Sequence, residues 1–187
     1  MLLKSEPRAF ALAVFVMCAT VLAANILVQH PFTPFGLQDW LTFGAFTYPF
    51  TFLVNDLSNR RLGLARTRRV IYAGFALAVA LSAVLATPRI ALASGSAFLA
   101  AQLLDATVFD RLRARAWWLP PLASGVVSSA LDTAIFFSLA FAGTGLPWAN
   151  WAVVDYLVKL AMVALFLVPY RWLIARMPAF SARMARA

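Results

Sequence analysis

The sequence predicts an all-α membrane protein, a bundle of six transmembrane helices, and three observations carry that expectation. Of its 187 residues 63% are hydrophobic and only 12% charged, whereas a soluble domain is roughly 45–50% apolar and about a quarter charged. The apolar residues fall into runs near the ~20 residues a helix needs to cross a bilayer, parted by short stretches of Pro, Gly or clustered Arg. Lys and Arg collect in alternate connections, as they do in polytopic membrane proteins. The net charge of +9 then follows from topology, and no nucleic-acid partner is expected. One integral membrane domain accounts for residues 1–187.

The first span is expected at about 9–28, after Lys4 and Arg8. Its length exceeds the apolar core of a signal peptide, so it reads as a retained helix. Cys18 lies inside it with no second cysteine to pair with. A loop from Gln29 to Leu41 follows, then a second span at 42–59 and a basic loop from Arg60 to Arg69. The third span, 70–87, is separated from the fourth, 90–109, by Thr87-Pro88-Arg89. The fifth and sixth are expected at 118–142 and 151–173, on either side of Gly143 to Asn150. Such short connections make neighbouring helices antiparallel.

Orientation follows from the cations. Lys4 and Arg8, five arginines between Arg60 and Arg69, Arg111, Arg113 and Arg115, and Arg171, Arg176, Arg183 and Arg186 all fall on one side. Arg89 stands alone on the other, and Lys159 is inside a span. Both termini are therefore expected in the cytoplasm. Trp40, Trp117, Trp118, Trp148, Trp151 and Trp172 sit at or beside span ends, where an interfacial belt places them.

Polar side chains at membrane depth are costly unless paired or facing a cavity, so they are the functional candidates. They are Asn25 in the first span, Asn55 and Asp56 in the second, Gln102 and Asp105 in the fourth, Asp132 in the fifth, and Asp155 with Lys159 in the sixth. Asp132 is the deepest acid, about ten residues or roughly 15 Å from either end of its span. Asp56 and Asp105 lie about one turn from the basic side. Asp155 and Lys159, four apart in the acid-before-lysine order, suit an intrahelical ion pair with a coupling or a purely structural role.

Several of these residues sit in blocks that resemble the queuosine precursor transporter family, also called the vitamin uptake transporter family. The blocks are Tyr48-Pro-Phe-Thr-Phe-Leu-Val-Asn-Asp-Leu-Ser-Asn-Arg60, Arg68-Arg69, Gln102-Leu-Leu-Asp105 with Phe109, Trp117-Trp118, Asp132-Thr133 with Phe136-Phe137, and Val154-Asp155-Tyr-Leu-Val-Lys159. Ser128-Ser129 depart from the Gly-Asn that family members often carry before the Asp-Thr pair. The resemblance implies uptake of 7-cyano-7-deazaguanine (preQ0) and its aminomethyl relative preQ1 across the bacterial inner membrane, for salvage into the tRNA nucleoside queuosine. It also implies a six-helix bundle similar to the substrate-binding components of energy-coupling-factor vitamin transporters.

A 7-deazaguanine presents N1–H and a 2-amino group side by side, and a carboxylate accepts two parallel hydrogen bonds. Asp132 is the first candidate for that role, with Asp105 and Asp56 behind it. Gln102, Asn55 and Asn25 are candidate donors to O6, and Phe52, Phe136 and Tyr48 are candidate stacking surfaces. No cofactor and no metal are expected, because the only histidine, His30, lies in a loop beside Pro31 without ligand partners at metal spacing. An intramembrane aspartyl protease fits poorly, because Ser129-Ala-Leu precedes Asp132 where that chemistry uses Gly-x-Gly. An ATP-driven arrangement would need a partner subunit, since the chain has no Walker motif. The small faces Ala9/Ala13 and Ala19/Ala23 would allow such docking, or a homodimer.

Overall fold

The computed structural model describes residues 5–177; Lys4, Arg183 and Arg186 of the expected basic face lie outside them. Helix α1 spans Ser5–Leu27, close to the first expected span. The following loop is shaped by local rules. Pro34–Gly36 forms a 3-10 turn, and an isolated antiparallel bridge joins Pro31 to Thr42. Phe32 packs on Phe43 and Phe46 with ring centroids 5.1 and 4.8 Å apart, closing the loop on itself.

The second expected span takes a different form. It consists of α2, Gly44–Thr47, and α3, Phe50–Leu62, joined through Tyr48 and Pro49. Pro49 removes a backbone donor and its ring crowds the preceding turn, which bends a helix. Tyr48 and Pro49 both keep right-handed helical dihedrals, so the chain continues in the same direction. This leg carries Asn55, Asp56, Ser58, Asn59, Arg60 and Arg61, and it is not among the five helices long and apolar enough to cross a membrane. Those five are α1 together with α4 (Leu64–Leu85), α5 (Pro88–Leu112), α6 (Leu119–Phe141) and α7 (Trp148–Ile174).

The ten-residue basic loop expected at Arg60 to Arg69 shrinks to Gly63. Arginine is a good helix former, and charge alone does not end a helix. Arg60 and Arg61 belong to α3, and Arg66, Arg68 and Arg69 to α4. Gly63, at φ 81, supplies the left-handed turn that a side chain resists. Thr87 caps α5 and Pro88 occupies its first turn, a common helix start.

Contacts at the helix ends settle how the legs run. Glu6 of α1 pairs with Arg66 of α4, so these two helices begin at the same end. The His30–Phe43 backbone bond, 3.0 Å, brings the start of α2 to the far end of α1. Arg113 after α5 bonds Asn59 near the close of α3, and Arg89 at the start of α5 bonds the carbonyls of Leu139 and Ala142 at the close of α6. Tyr170 and Ile174 of α7 return to Phe109 and Trp117 at the arginine-rich end. The core lies between α1, α3, α4 and α5, around Met17, Val21, Val54, Val70, Ile71 and Phe98. Leu12, Phe15, Val84, Leu92, Leu165 and Val168 face outward, as lipid-facing residues do.

Candidate functional site

Two buried polar networks occupy the bundle interior. The first joins α6, α7 and the α2–α3 junction. Asp132 is 4% exposed, and both of its oxygens are engaged: the Tyr48 hydroxyl donates to Oδ1 at 2.9 Å and the Lys159 ammonium to Oδ2 at 2.7 Å. Lys159, itself 4% exposed, also donates to Asp155 Oδ2 at 2.5 Å and to Thr133 Oγ1 at 3.1 Å. Thr133 in turn donates to Asp155 at 2.9 Å. The expected Asp155–Lys159 pair is thus present, with the lysine shared by a second acid on a neighbouring helix. Lys159 also lies 5.5 Å from the centre of the Tyr48 ring, and Phe52 meets that ring edge-on at 6.0 Å. One buried cation between two carboxylates is stable only because every donor finds an acceptor.

The second network lies nearer the arginine-rich end, between α3, α5 and α6. Asn55, Gln102 and Asp105 are all fully buried. Asn55 Nδ2 donates to Asp105 Oδ2 at 2.8 Å and to the Gln102 carbonyl at 2.9 Å. Gln102 Nε2 donates to Thr51 Oγ1 at 2.6 Å, and Thr51 donates to the Tyr48 carbonyl at 2.8 Å, which links the two networks. From α6, Ser128 lies 3.3 Å from Asp105 Oδ1 and Ser124 lies 3.4 Å from Asp56 Oδ1. Asp56 and Tyr170 face a cavity of about 20 Å³ that Phe52, Gly125 and Val163 also line, room for about one water molecule.

The structure therefore brings Tyr48, Asp132, Asp155 and Lys159 together, with Phe52 beside them. Asn55, Gln102 and Asp105 hold one another rather than the Asp132 carboxylate. Asn25 stands apart on the α1–α4 seam, where its Nδ2 bonds Val21 O at 2.9 Å and Ser82 approaches its Oδ1 at 3.4 Å. Phe136 packs against Phe137 and Phe141 towards the other end. Ala13 packs on the core, while Ala19 and Ala23 are exposed. Thr51, Ser124, Ser128 and Thr133 complete the networks without having been expected there. For the first three the signal was spacing, because Thr51–Asn55–Asn59 and Ser124–Ser128–Asp132 each repeat every four residues and so line one helix face.

The chain resembles known proteins over most of its length. It is 35% identical to the queuosine precursor transporter of Escherichia coli strain K12, covering 80% of this chain and 78% of that protein. The "Probable queuosine precursor transporter" of Haemophilus influenzae is 33% identical, covering 89% of this chain and 86% of the relative. A protein of the same description from Bacillus subtilis is 30% identical, with 89% and 84% covered. No solved structure matches. Residues 42–87 and 80–174 match one family profile, so the buried networks lie within the matched region, and the chain belongs to the family described as "Putative vitamin uptake transporter".

Proposed function

We propose that this protein takes up queuosine precursors of the 7-deazaguanine type, preQ0 and preQ1, across the bacterial inner membrane, with Asp132 reading the guanine-like edge. The names of the relatives support the substrate class. The single observation that carries the site is the way Asp132 is held. Its partner Lys159 already has a second carboxylate and a hydroxyl within bonding distance, at 2.5 and 3.1 Å. A ligand that brings N1–H and a 2-amino group to Asp132 displaces Lys159 onto Asp155 and Thr133, and the Asp132 carboxylate then takes two parallel hydrogen bonds from the ligand. Tyr48 and Phe52 supply aromatic surface beside the same carboxylate.

Six crossings are part of this reading. Residues 44–62 connect the same two ends of the bundle as their neighbours. At 1.5 Å per residue they extend about 28 Å, close to the ~30 Å hydrocarbon thickness. The concentration of arginines at one end supports cytoplasmic termini, and six legs agree with a likeness to vitamin-binding components of energy-coupling-factor transporters.

The test uses cells that lack both queuosine precursor synthesis and their own transporter. Expression of this protein with added preQ0 or preQ1 restores queuosine in tRNA, and Asp132→Ala does not. Failure of the unaltered protein to restore it with either precursor overturns the reading.

A further inference from the structure

Asp105 is the buried acid that the substrate-reading group leaves unused. It is fully buried, and among the described residues no Lys, Arg or His nitrogen lies within 4.0 Å of it; the recorded ion pairs involve Glu6, Asp110, Asp132 and Asp155. The elements packed against α5 offer no compensation. The buried face of α4 has no titratable side chain. From α3 come another acid, Asp56, within electrostatic reach, and, in its last turn at the arginine-rich end, Arg60 and Arg61; the only titratable group on the buried face of α6 is Asp132. An ionised carboxylate at that place has no cation to offset its desolvation.

The hydrogen bonds point the same way. Ser128 has a single proton and two oxygens before it, the Ser124 carbonyl at 2.6 Å and Asp105 Oδ1 at 3.3 Å. The shorter contact is the back-bond usual for a helical serine and takes the proton. Asp105 Oδ1 is left with at most a weak share of that proton, at 3.3 Å. A second sign is Asn55. Its nitrogen is committed to Asp105 and to the Gln102 carbonyl, which orients the amide. Its own Oδ1, fully buried beside the carboxyl, has no donor. An acceptor left open next to an uncompensated acid is what a bound proton satisfies.

We infer that Asp105 binds a coupling proton, so that uptake of each substrate molecule is accompanied by one proton moving inward. This rests on the uptake reading above. The proton forms an O–H bond on Asp105. It leaves through the Ser124 hydroxyl, which lies within reach of both Asp105 and Asp56, to Asp56 and then to the water-sized cavity that Asp56 shares with Tyr170. No oxidation or co-reactant is involved. The proton enters from the outer side and ends in the cytoplasm.

The test uses the full chain in proteoliposomes with radiolabelled preQ0 and the membrane potential clamped near zero. One proton per substrate allows up to about tenfold accumulation for each unit of pH gradient. Asp105→Asn, a neutral isostere, is expected to exchange labelled for unlabelled preQ0 yet accumulate none above equilibration. Asp105→Glu, which keeps an acid, is expected to recover part of the response. Accumulation by Asp105→Asn equal to that of the unaltered protein overturns the inference, and so does accumulation driven by a sodium gradient but not by a pH gradient. Loss of exchange in a folded Asp105→Asn protein overturns it as well, by assigning Asp105 to the ligand. Independently of any variant, preQ0 entry into vesicles of the unaltered protein alkalinises a weakly buffered external medium by about one proton per substrate, and no alkalinisation overturns the coupling. If the unaltered protein moves no preQ0 at all, the uptake reading fails, and that result is distinct from uncoupled exchange.

Discussion

Lys159 on α7 donates to Asp132 on α6 across 2.7 Å, joining two residues 27 positions apart in the chain. The same ammonium holds Asp155 one turn away on its own helix at 2.5 Å, so it has a near partner and a far one. Removing either acid leaves the lysine paired, whereas removing the lysine leaves the buried Asp132 and the partly buried Asp155 without a cation.

That asymmetry makes Lys159→Met much more damaging to stability than Asp132→Ala. Breaking a buried pair by deleting one partner costs about 3–5 kcal/mol, and the lysine variant strands two acids. Asp132→Ala is expected to purify as a folded bundle and to lose uptake. Thermal unfolding of the two variants in detergent, alongside uptake, checks the ordering; equal losses of stability contradict it.

The proposed reading of N1–H and the 2-amino group by Asp132 carries a selectivity prediction. Adenine offers an unprotonated ring nitrogen at the matching position and leaves the buried acid unpaired, so rejection by on the order of a thousandfold or more is expected. Guanine competes measurably, though less well than preQ0. Competition uptake with the three bases gives the ordering, and adenine matching guanine would remove Asp132 from the recognition step.

Gly125 sets how closely α6 approaches α7. A Cβ there would lie 2.8 and 2.9 Å from the two methyl carbons of Val163. Gly125→Ala is therefore expected to cost about 1–3 kcal/mol through overpacking. Adding Val163→Ala, which removes the opposing methyls, should recover much of that loss. The melting temperatures of both single variants and the double variant measure the coupling, and simple additivity would rule out the contact as the cause.

Arg89, the one cation at the arginine-poor end among the described residues, has a structural task. It donates to Leu139 O at 2.8 Å and Ala142 O at 2.5 Å, closing carbonyls that the last turn of α6 leaves open. Arg89→Ala is expected to lower stability by about 1–3 kcal/mol and to leave topology unchanged. Reporters fused at either terminus, expected to read cytoplasmic, and one near Gly145, expected to read periplasmic, should give the same pattern in the variant as in the unaltered protein. A changed reporter pattern would show that Arg89 sets orientation instead.

The sequence by itself determined the membrane class, the places of the five long apolar helices and the segregation of arginines to one end. A bilayer acts on each segment through its length, hydropathy and flanking charge, which are properties of the linear chain. The polar residues at depth were legible for the same reason, as was the Asp155–Lys159 pair, because four residues make one helical turn. Only the tertiary structure decided the partners across helices: that Asp132 shares Lys159, that Asp105 answers to Asn55 and Ser128, and that Asn25 belongs to another seam. It also decided that Gly63 alone joins α3 to α4 and that Pro49 divides the second leg. These outcomes depend on how each helix is rotated about its axis and how far it slides along its neighbour. Packing between side chains distant in sequence sets both, and no single segment encodes either.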